Sequence, residues 1–479
     1  MEATRTITID PVSRIEGHGK VAITLDENGE VSDAKFHVTQ IRGFEKFCEG
    51  RPFEEMPVIT QRICGICPVS HQLASAKACD AILGVKIPET AVKLRELMHM
   101  GQFIQSHALH FFHLASPDLL LGWDADPAAR NVVGVAGQFP ELAKKGIRLR
   151  KFGQEIISAL GGKKIHPAFA VPGGVSNGLS PEDGRKILAG MDEARDTCST
   201  ALEIIKGWVE SNAQEAKQFA NFRSNYAGLV DDQGCMNLYD GQMRIVDPDR
   251  QMLVQFDPAY YLDYIAEHVE PWSYLKFPFY REKKFPEGCY RVGPLARLYA
   301  ANALSTPQAE GERQAFWEKF GGPKMRGGSL LYHYARMIEL RYCLEKAGVI
   351  LEGDAVYGTD VRKTGRPANA QGVGVIEAPR GTLIHHYEVD KYGALTNVNL
   401  IVATGHNNMA MNRAVTLVAR QYIQNGDIRE GILNRIEGAI RCYDPCLSCS
   451  THAMGQMPLR VSVYDANGDF VHELQKNPG

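Results

Sequence analysis

Near the start of the chain, "KVAITLDENGEVSDAKFHV" (residues 20–38) alternates apolar and polar positions on either side of Asn28-Gly29. A period of two interrupted by Asn-Gly predicts a β-hairpin, because both residues tolerate the positive φ that a tight turn requires. The period then lengthens. In "TAVKLRELMHMGQFIQSHALHFFHLA" (90–115) apolar residues recur every three or four positions, which predicts an amphipathic helix ending before Pro117. "ELAKKGIRLRKFGQEIISAL" (141–160) predicts another, stopped by Gly161-Gly162. Ser180-Pro181-Glu182-Asp183 resembles a capping box with proline at the first helical position, and predicts one long helix to about Phe219. "SLLYHYARMIELRYCLEKA" (329–347) predicts a helix with Gly348 as its C-cap.

Four long amphipathic helices imply a central bundle. Strand-like segments at 373–377 and 382–388 flank "APRG", and "NVNLIVAT" (397–404) is apolar enough to be buried. Helices over about 407–423 and 431–444 follow, and "LRVSVYDANGDFVHEL" (459–474) is a hairpin pattern around Asn467-Gly468. The expected class is α+β, a central bundle of long helices with peripheral β hairpins and sheets. No low-complexity stretch or linker divides it, so one extended domain is expected.

Composition narrows the function. Over 479 residues, 44% are hydrophobic and 23% charged, with net charge −3 and no long basic run. Such a chain needs no disulfides to support its core, and nucleic acid or an anionic membrane is not its expected partner. The N-terminus has no apolar signal region, and no window approaches ~18 uninterrupted apolar residues. A cytoplasmic protein without a membrane span is the expectation. Four of the eleven cysteines form two close pairs. That arrangement favours metal or redox chemistry over a disulfide framework.

The pairs are Cys64 and Cys67 in "QRICGICPVSH" (61–71) and Cys446 and Cys449 in "DPCLSCSTH" (444–452), each followed by a histidine, His71 or His452. A Cys-x-x-Cys on a loop or first helical turn can turn both sulfurs to one ion, and a helix N-terminus favours the thiolate. Four thiolates make a soft site suited to zinc, iron–sulfur or other soft metals. Zinc ribbons place their pairs about 15–20 residues apart. Here nearly the whole chain intervenes, so a site joining the two ends of the chain is the better reading.

"RICGIC" with His71, and "DPC" through His452, closely resemble the two signatures of nickel–iron hydrogenase large subunits. "DPVSRIEGHG" (10–19), "RGFEKF" (42–47), "EAPRGTLIHHY" (377–387) and "NVNLIVATGHNN" (397–408) agree in the family's order, so the likeness spans nearly the full length. Its flavour is that of soluble, cytoplasmic bidirectional NAD-linked members. The resemblance implies reversible cleavage of H2 to protons and electrons at a nickel–iron centre whose iron carries CO and cyanide. Cys64 and Cys446 would bind nickel terminally, and Cys67 and Cys449 would bridge to iron. Splitting H2 requires a base for the proton; Cys446 and then Glu16 would take it.

Arg380 would stand over the metals and Thr404 would donate to a cyanide. His71 would donate a hydrogen bond to a bridging sulfur, with Asp444 close by. Glu45, the Leu400 carbonyl and His452 would hold a magnesium-type ion. Simpler readings compete: Glu16 as a salt-bridged carboxylate, Arg380 as a surface turn residue, His71 as an ordinary buried histidine, Asp444 as a helix N-cap. His107, His110 and His113 have metal-like spacing but are expected to pack, and cysteines 198, 235, 289, 343 and 442 read as core.

Where many relatives read His-Asp-His this chain has Gln105-Ser106-His107, and Ala403 replaces a proline common in exported relatives. The resemblance further implies domain bounds of 1–452 and a precursor extension, 453–479, removed by a dedicated endopeptidase after metallochaperones deliver the metals. The uncut tail would keep the C-terminus out of the magnesium site. With no iron–sulfur cluster of its own, the chain would pass electrons to an iron–sulfur small subunit. Flavin and iron–sulfur diaphorase-type subunits would carry them on to NAD(P) or ferredoxin. A hydrogen sensor and a metal-free quinone-reductase-type homologue are the alternatives, the second disfavoured by the four cysteines.

Overall fold

The computed structural model describes residues 5–320, 327–452, 459–464 and 470–476. Strand Gly19–Leu25 pairs antiparallel with Val31–Val38, Ile23 opposite Ala34, as the alternation predicts. Arg5–Ile9, which that reading did not reach, adds a third strand with Ile7 opposite Ile23. One face buries Val21, Ile23, Ala34 and Phe36. That face packs on helix Asn408–Tyr422, where Asn412 Oδ1 accepts the Phe36 N–H at 2.8 Å.

The bundle forms, with corrections to its ends. Helix Glu89–Leu109 lies along Pro140–Gly161 and against Leu331–Glu352, which also packs on Met191–Ser211. The first of these does not stop before Pro117. It continues as wider π turns, His110–Ala115 and Pro117–Leu121. Proline has no N–H to give, and the Ser116 hydroxyl instead donates to the Phe112 carbonyl at 2.7 Å. The segment from Ser180 is three helices, Pro181–Ala189, Met191–Ser211 and Ala213–Gln218. Its start is as predicted, with Ser180 Oγ accepting the Asp183 N–H at 3.1 Å. The first break falls at Gly190, where a β-carbon would sit 3.0 Å from the Phe152 ring. Gly348 is not a C-cap: the helix passes through it to Glu352.

Strands Gln371–Ala378, Gly381–Val389 and Leu395–Ile401 form an antiparallel sheet, with Ile376 opposite Leu383 and Ile384 opposite Ile401. Helix Pro68–Leu83 lies directly on its first strand. The approach is so close that a β-carbon at Gly374 would fall 2.0 Å from the Ala74 carbonyl oxygen. Only glycine permits that separation. A further sheet, missed in the sequence, orders Tyr290–Arg291, Asn225–Val230, Gln242–Val246 and Met252–Phe256. Between the two sheets, Leu229, Ile245 and Phe256 share an apolar cluster with Val375, Ile384 and Ile401. Helix Glu430–Arg441 ends three residues earlier than expected. The tail strands Leu459–Tyr464 and Phe470–Lys476 pair antiparallel, while the Asn467-Gly468 turn lies outside the described residues.

Candidate metal centre

Cys64 ends a single 3-10 turn, and Cys67 caps helix Pro68–Leu83, with Pro68 as its first residue. The loop curls so that the Ile66 and Cys67 N–H groups point at Cys64 Sγ, at 3.2 and 3.3 Å. Its far side is held by the bundle: Gln102 and Gln105 both donate to the Ile66 carbonyl, at 2.9 and 2.6 Å. Cys446 and Cys449 bracket a second 3-10 turn just past helix Glu430–Arg441. Glu16 pairs with Cys446 as a parallel bridge, and its carboxylate accepts the Ser448 N–H at 3.1 Å. The Glu16 segment is pinned in turn by buried charges, Arg14 on Asp118 at 2.5 Å and Ser13 on Glu437.

These anchors bring the two ends of the chain together. Cys64 Sγ lies 3.4 Å from Cys446 Sγ, and Cys67 Sγ 3.5 Å from Cys449 Sγ. All four sulfurs lie within 4.8 Å of one another, and all are buried. Hydrogen bonding from its cysteine neighbours, Cys446 first, holds the Cys64 thiol well below its ordinary value, and Arg380 adds to this. Burial, then the neighbouring sulfurs, pushes Cys446 well up. Four like charges cannot share so small a buried volume without a cation. The donor set therefore suits a soft transition-metal centre.

Arg380 lies over the cluster, 3% exposed. Its Nε donates to the Asp444 carbonyl at 2.5 Å, and one Nη lies 3.1 Å from Asp444 Oδ1. Burial opposes its charge, but Asp444 and then the thiolates outweigh that and raise its pKa. It is no surface turn residue. Asp444 follows a helix C-terminus with φ of 52°, so it is not an N-cap either. Thr404 Oγ1 accepts the Cys446 N–H at 2.9 Å, leaving its own proton free to donate. Cys67, Cys446 and Cys449, but not Cys64, line a small cavity. His71, Arg380, Thr404, Leu383 and Val402 are among its other walls.

His71 is fully buried, and that burial lowers its pKa to about 4. Its Nδ1 bonds His385 Nε2 at 3.1 Å, while Nε2 has no hydrogen-bond partner among the described residues. Glu45 accepts the Leu400 N–H at 2.9 Å, and burial raises its pKa to about 7. His452 bonds the Cys449 carbonyl through Nε2 and stacks edge-on against Phe44, next to Glu45. The structure thus brings Glu45, Leu400 and His452 to the same border of the core, with the Leu400 N–H, not its carbonyl, on the carboxylate.

Of the departures, Gln105 steadies the Ile66 carbonyl and Ser106 Oγ lies 3.5 Å from Arg380. His107 bonds Glu339 at 2.7 Å, His110 the Arg441 carbonyl, and His113 is partly exposed, so the three do not converge. Cysteines 198, 343 and 442 are buried as expected; 235 and 289 are only partly so. Cys48 and Cys79, unassigned in the sequence, are buried too. Arg297 was also missed. It joins Glu339 and Glu377 and donates to the carbonyls of Ala378 and Pro379, directly before Arg380. Nothing in "GPLARLYA" marks that role.

Residues 42–132 and 203–452 match the family described as nickel-dependent hydrogenase, and residues 6–41 match a HoxL-like family. The chain belongs to the nickel-dependent hydrogenase family. This hydrogenase chain is 49% identical over 414 residues to a subunit of the vhu F420-non-reducing hydrogenase of Methanocaldococcus jannaschii, covering 86% of this chain and 98% of that one. It is 44% identical to the NAD-reducing hydrogenase HoxS subunit beta of Cupriavidus necator, over 98% and 99% of the two chains. Its fold matches a crystal structure of an NAD+-reducing [NiFe]-hydrogenase in the H2-reduced state with TM-score 0.92 and 48% identity. That match covers 94% of this chain and 100% of the other. It is the catalytic large subunit of a nickel–iron hydrogenase, an oxidoreductase acting on H2. Among the described residues no helix is long and apolar enough to cross a membrane.

Proposed function

We propose that Cys64 and Cys446 hold nickel terminally, that Cys67 and Cys449 bridge it to an iron carrying CO and cyanide, and that Glu16 relays the proton released from H2. When bound, such a centre accepts the electron pair of H2. The buried quartet of sulfurs within 4.8 Å carries the reading. The cavity supports a small ligand at the sulfurs: it opens on Cys67, Cys446 and Cys449 and offers the donors Arg380 and Thr404 among largely apolar walls. Small diatomic ligands fit that lining. Arg380 places positive charge where H2 polarises, and the Asp444 salt bridge fixes its orientation. Cys446 takes the proton first. Glu16, whose backbone is bridged to Cys446, passes the proton on.

Glu45, Leu400 and His452 hold a magnesium-type ion in this reading, which seals the C-terminus once residues 453–479 are cut away by a maturation endopeptidase. The family match ends at His452, in keeping with that cut. Likeness to a NAD-reducing enzyme along nearly the whole chain supports diaphorase-type subunits and an iron–sulfur small subunit feeding NAD(P) or ferredoxin in the cytoplasm. In the purified complex, nickel and iron are expected near one each per chain, with infrared bands from CO and cyanide. Stoichiometric zinc without those bands refutes the centre. Intact mass of the active protein is expected to lack residues 453–479; an active species that retains Gly479 refutes the processing step. H2-dependent reduction of NAD+ against ferredoxin by the same preparation identifies the acceptor.

A further inference from the structure

His71 faces the cavity with a nitrogen that no described residue satisfies, although the ring is fully buried. A buried polar atom without a partner is costly, so this one marks a contact made only when the site is filled. Behind it runs an unbroken chain of hydrogen bonds. His71 Nδ1 lies 3.1 Å from His385 Nε2, and His385 Nδ1 lies 2.6 Å from the Tyr387 hydroxyl. All three side chains are buried, and His385 and Tyr387 sit two residues apart on one strand, so they project to the same face.

A neutral imidazole has one N–H and one lone pair, so each link fixes the next. Only two arrangements exist. In one, His71 turns a lone pair to the sulfurs, which repels a thiolate. In the other, Tyr387 donates to His385 Nδ1, His385 Nε2–H donates to His71 Nδ1, and His71 Nε2–H is left pointing into the cavity. We propose that Tyr387 and His385 are positioning residues that lock His71 in the tautomer whose Nε2–H donates to a bridging thiolate. The inference rests on the nickel–iron reading of the site. A donor on a bridging sulfur withdraws electron density from the iron and tunes the centre.

The test uses the matured complex and the infrared bands of CO and cyanide, which report electron density at the iron independently of turnover. His385→Leu removes the donor to His71, and its CO band is expected to move to lower wavenumber at unchanged nickel and iron content. His385→Gln, whose amide N–H can replace that donor, is expected to restore the band toward its original position. Tyr387→Phe removes one oxygen without disturbing the strand and is expected to give a smaller shift in the same direction. Should His385→Leu fail to fold, the Tyr387→Phe band still decides. A band unmoved by His385→Leu or, where that variant does not load metal, by Tyr387→Phe overturns the inference alone. Absence of nickel and of these bands in the unsubstituted complex overturns the underlying reading, and the inference with it.

Discussion

At the scale of single residues, the site assigns different tasks to groups that share one environment. Arg380 and Asp444 are held by each other, so Arg380 stays charged and fixed above the sulfurs. Ser106 offers Arg380 only a hydroxyl at 3.5 Å, and Asp444 is the carboxylate that balances this arginine. Glu16 is only half buried, touches the Cys446 turn through its carboxylate and Ser448 N–H, and makes no salt bridge among the described residues. Replacing it by glutamine keeps that hydrogen bond and removes the exchangeable proton. Glu16→Gln is expected to leave nickel and iron content intact while slowing H/D exchange about 100-fold or more. Exchange at the original rate would take Glu16 out of the proton route.

At the scale of elements, the separation between the Cys67 helix and the strand leading to Arg380 is set by residues that carry no chemistry. Gly374 and Gly372 let helix Pro68–Leu83 rest on the backbone of strand Gln371–Ala378. A methyl group at Gly374 would meet the Ala74 oxygen at 2.0 Å and the Ala78 nitrogen at 2.5 Å, neither of which can turn aside. Gly374→Ala is expected to cost about 1–3 kcal/mol or more in denaturant unfolding, and to weaken metal retention by pushing Cys67 away from Arg380. A wild-type unfolding midpoint with full metal content would show that the helix and strand can part freely. The elements themselves were legible where period and capping agreed, as at the 20–38 hairpin and at Ser180. They were misjudged where the local signal was outvoted by packing. Gly348 looked like a stop but lies inside a helix surrounded by core, and Pro117 was accommodated by a serine hydroxyl.

At the scale of the whole molecule, the interior is rich in histidines that stay neutral. Burial pushes His99 and His107 down to about 4, and His333 and His406 to about 3. An unfolded histidine titrates near 6.5. Between about pH 6.5 and 4 the unfolded chain therefore binds protons that the folded chain refuses, so stability falls as pH falls. Urea midpoints taken from about pH 8 down to about pH 4.5 are expected to decline steadily once the pH passes below that histidine value. A level profile would mean that these rings accept protons in place. Asp118, whose burial is outweighed by Arg441 and Arg14, and Glu339, likewise outweighed by Arg297 and His107, add their loss only at lower pH, below the ordinary carboxylate range.

The chemistry was already written in the order of amino acids: two Cys-x-x-Cys pairs, one near each end of the chain, and the segments around them that place it among nickel–iron hydrogenases. Ligands must be particular residue types, so they leave a mark that needs no structure to read. What holds those ligands emerged only with the folded chain. Gln102, Gln105, Arg297, His385 and Tyr387 act through partners between 36 and 314 positions away or through a neighbour's tautomer, and no local pattern encodes such a pairing. The same holds for the glycine contact beneath the helix that Cys67 caps. A thiolate's identity is written in its own codon, whereas its environment exists only once distant backbone and side chains have been brought together.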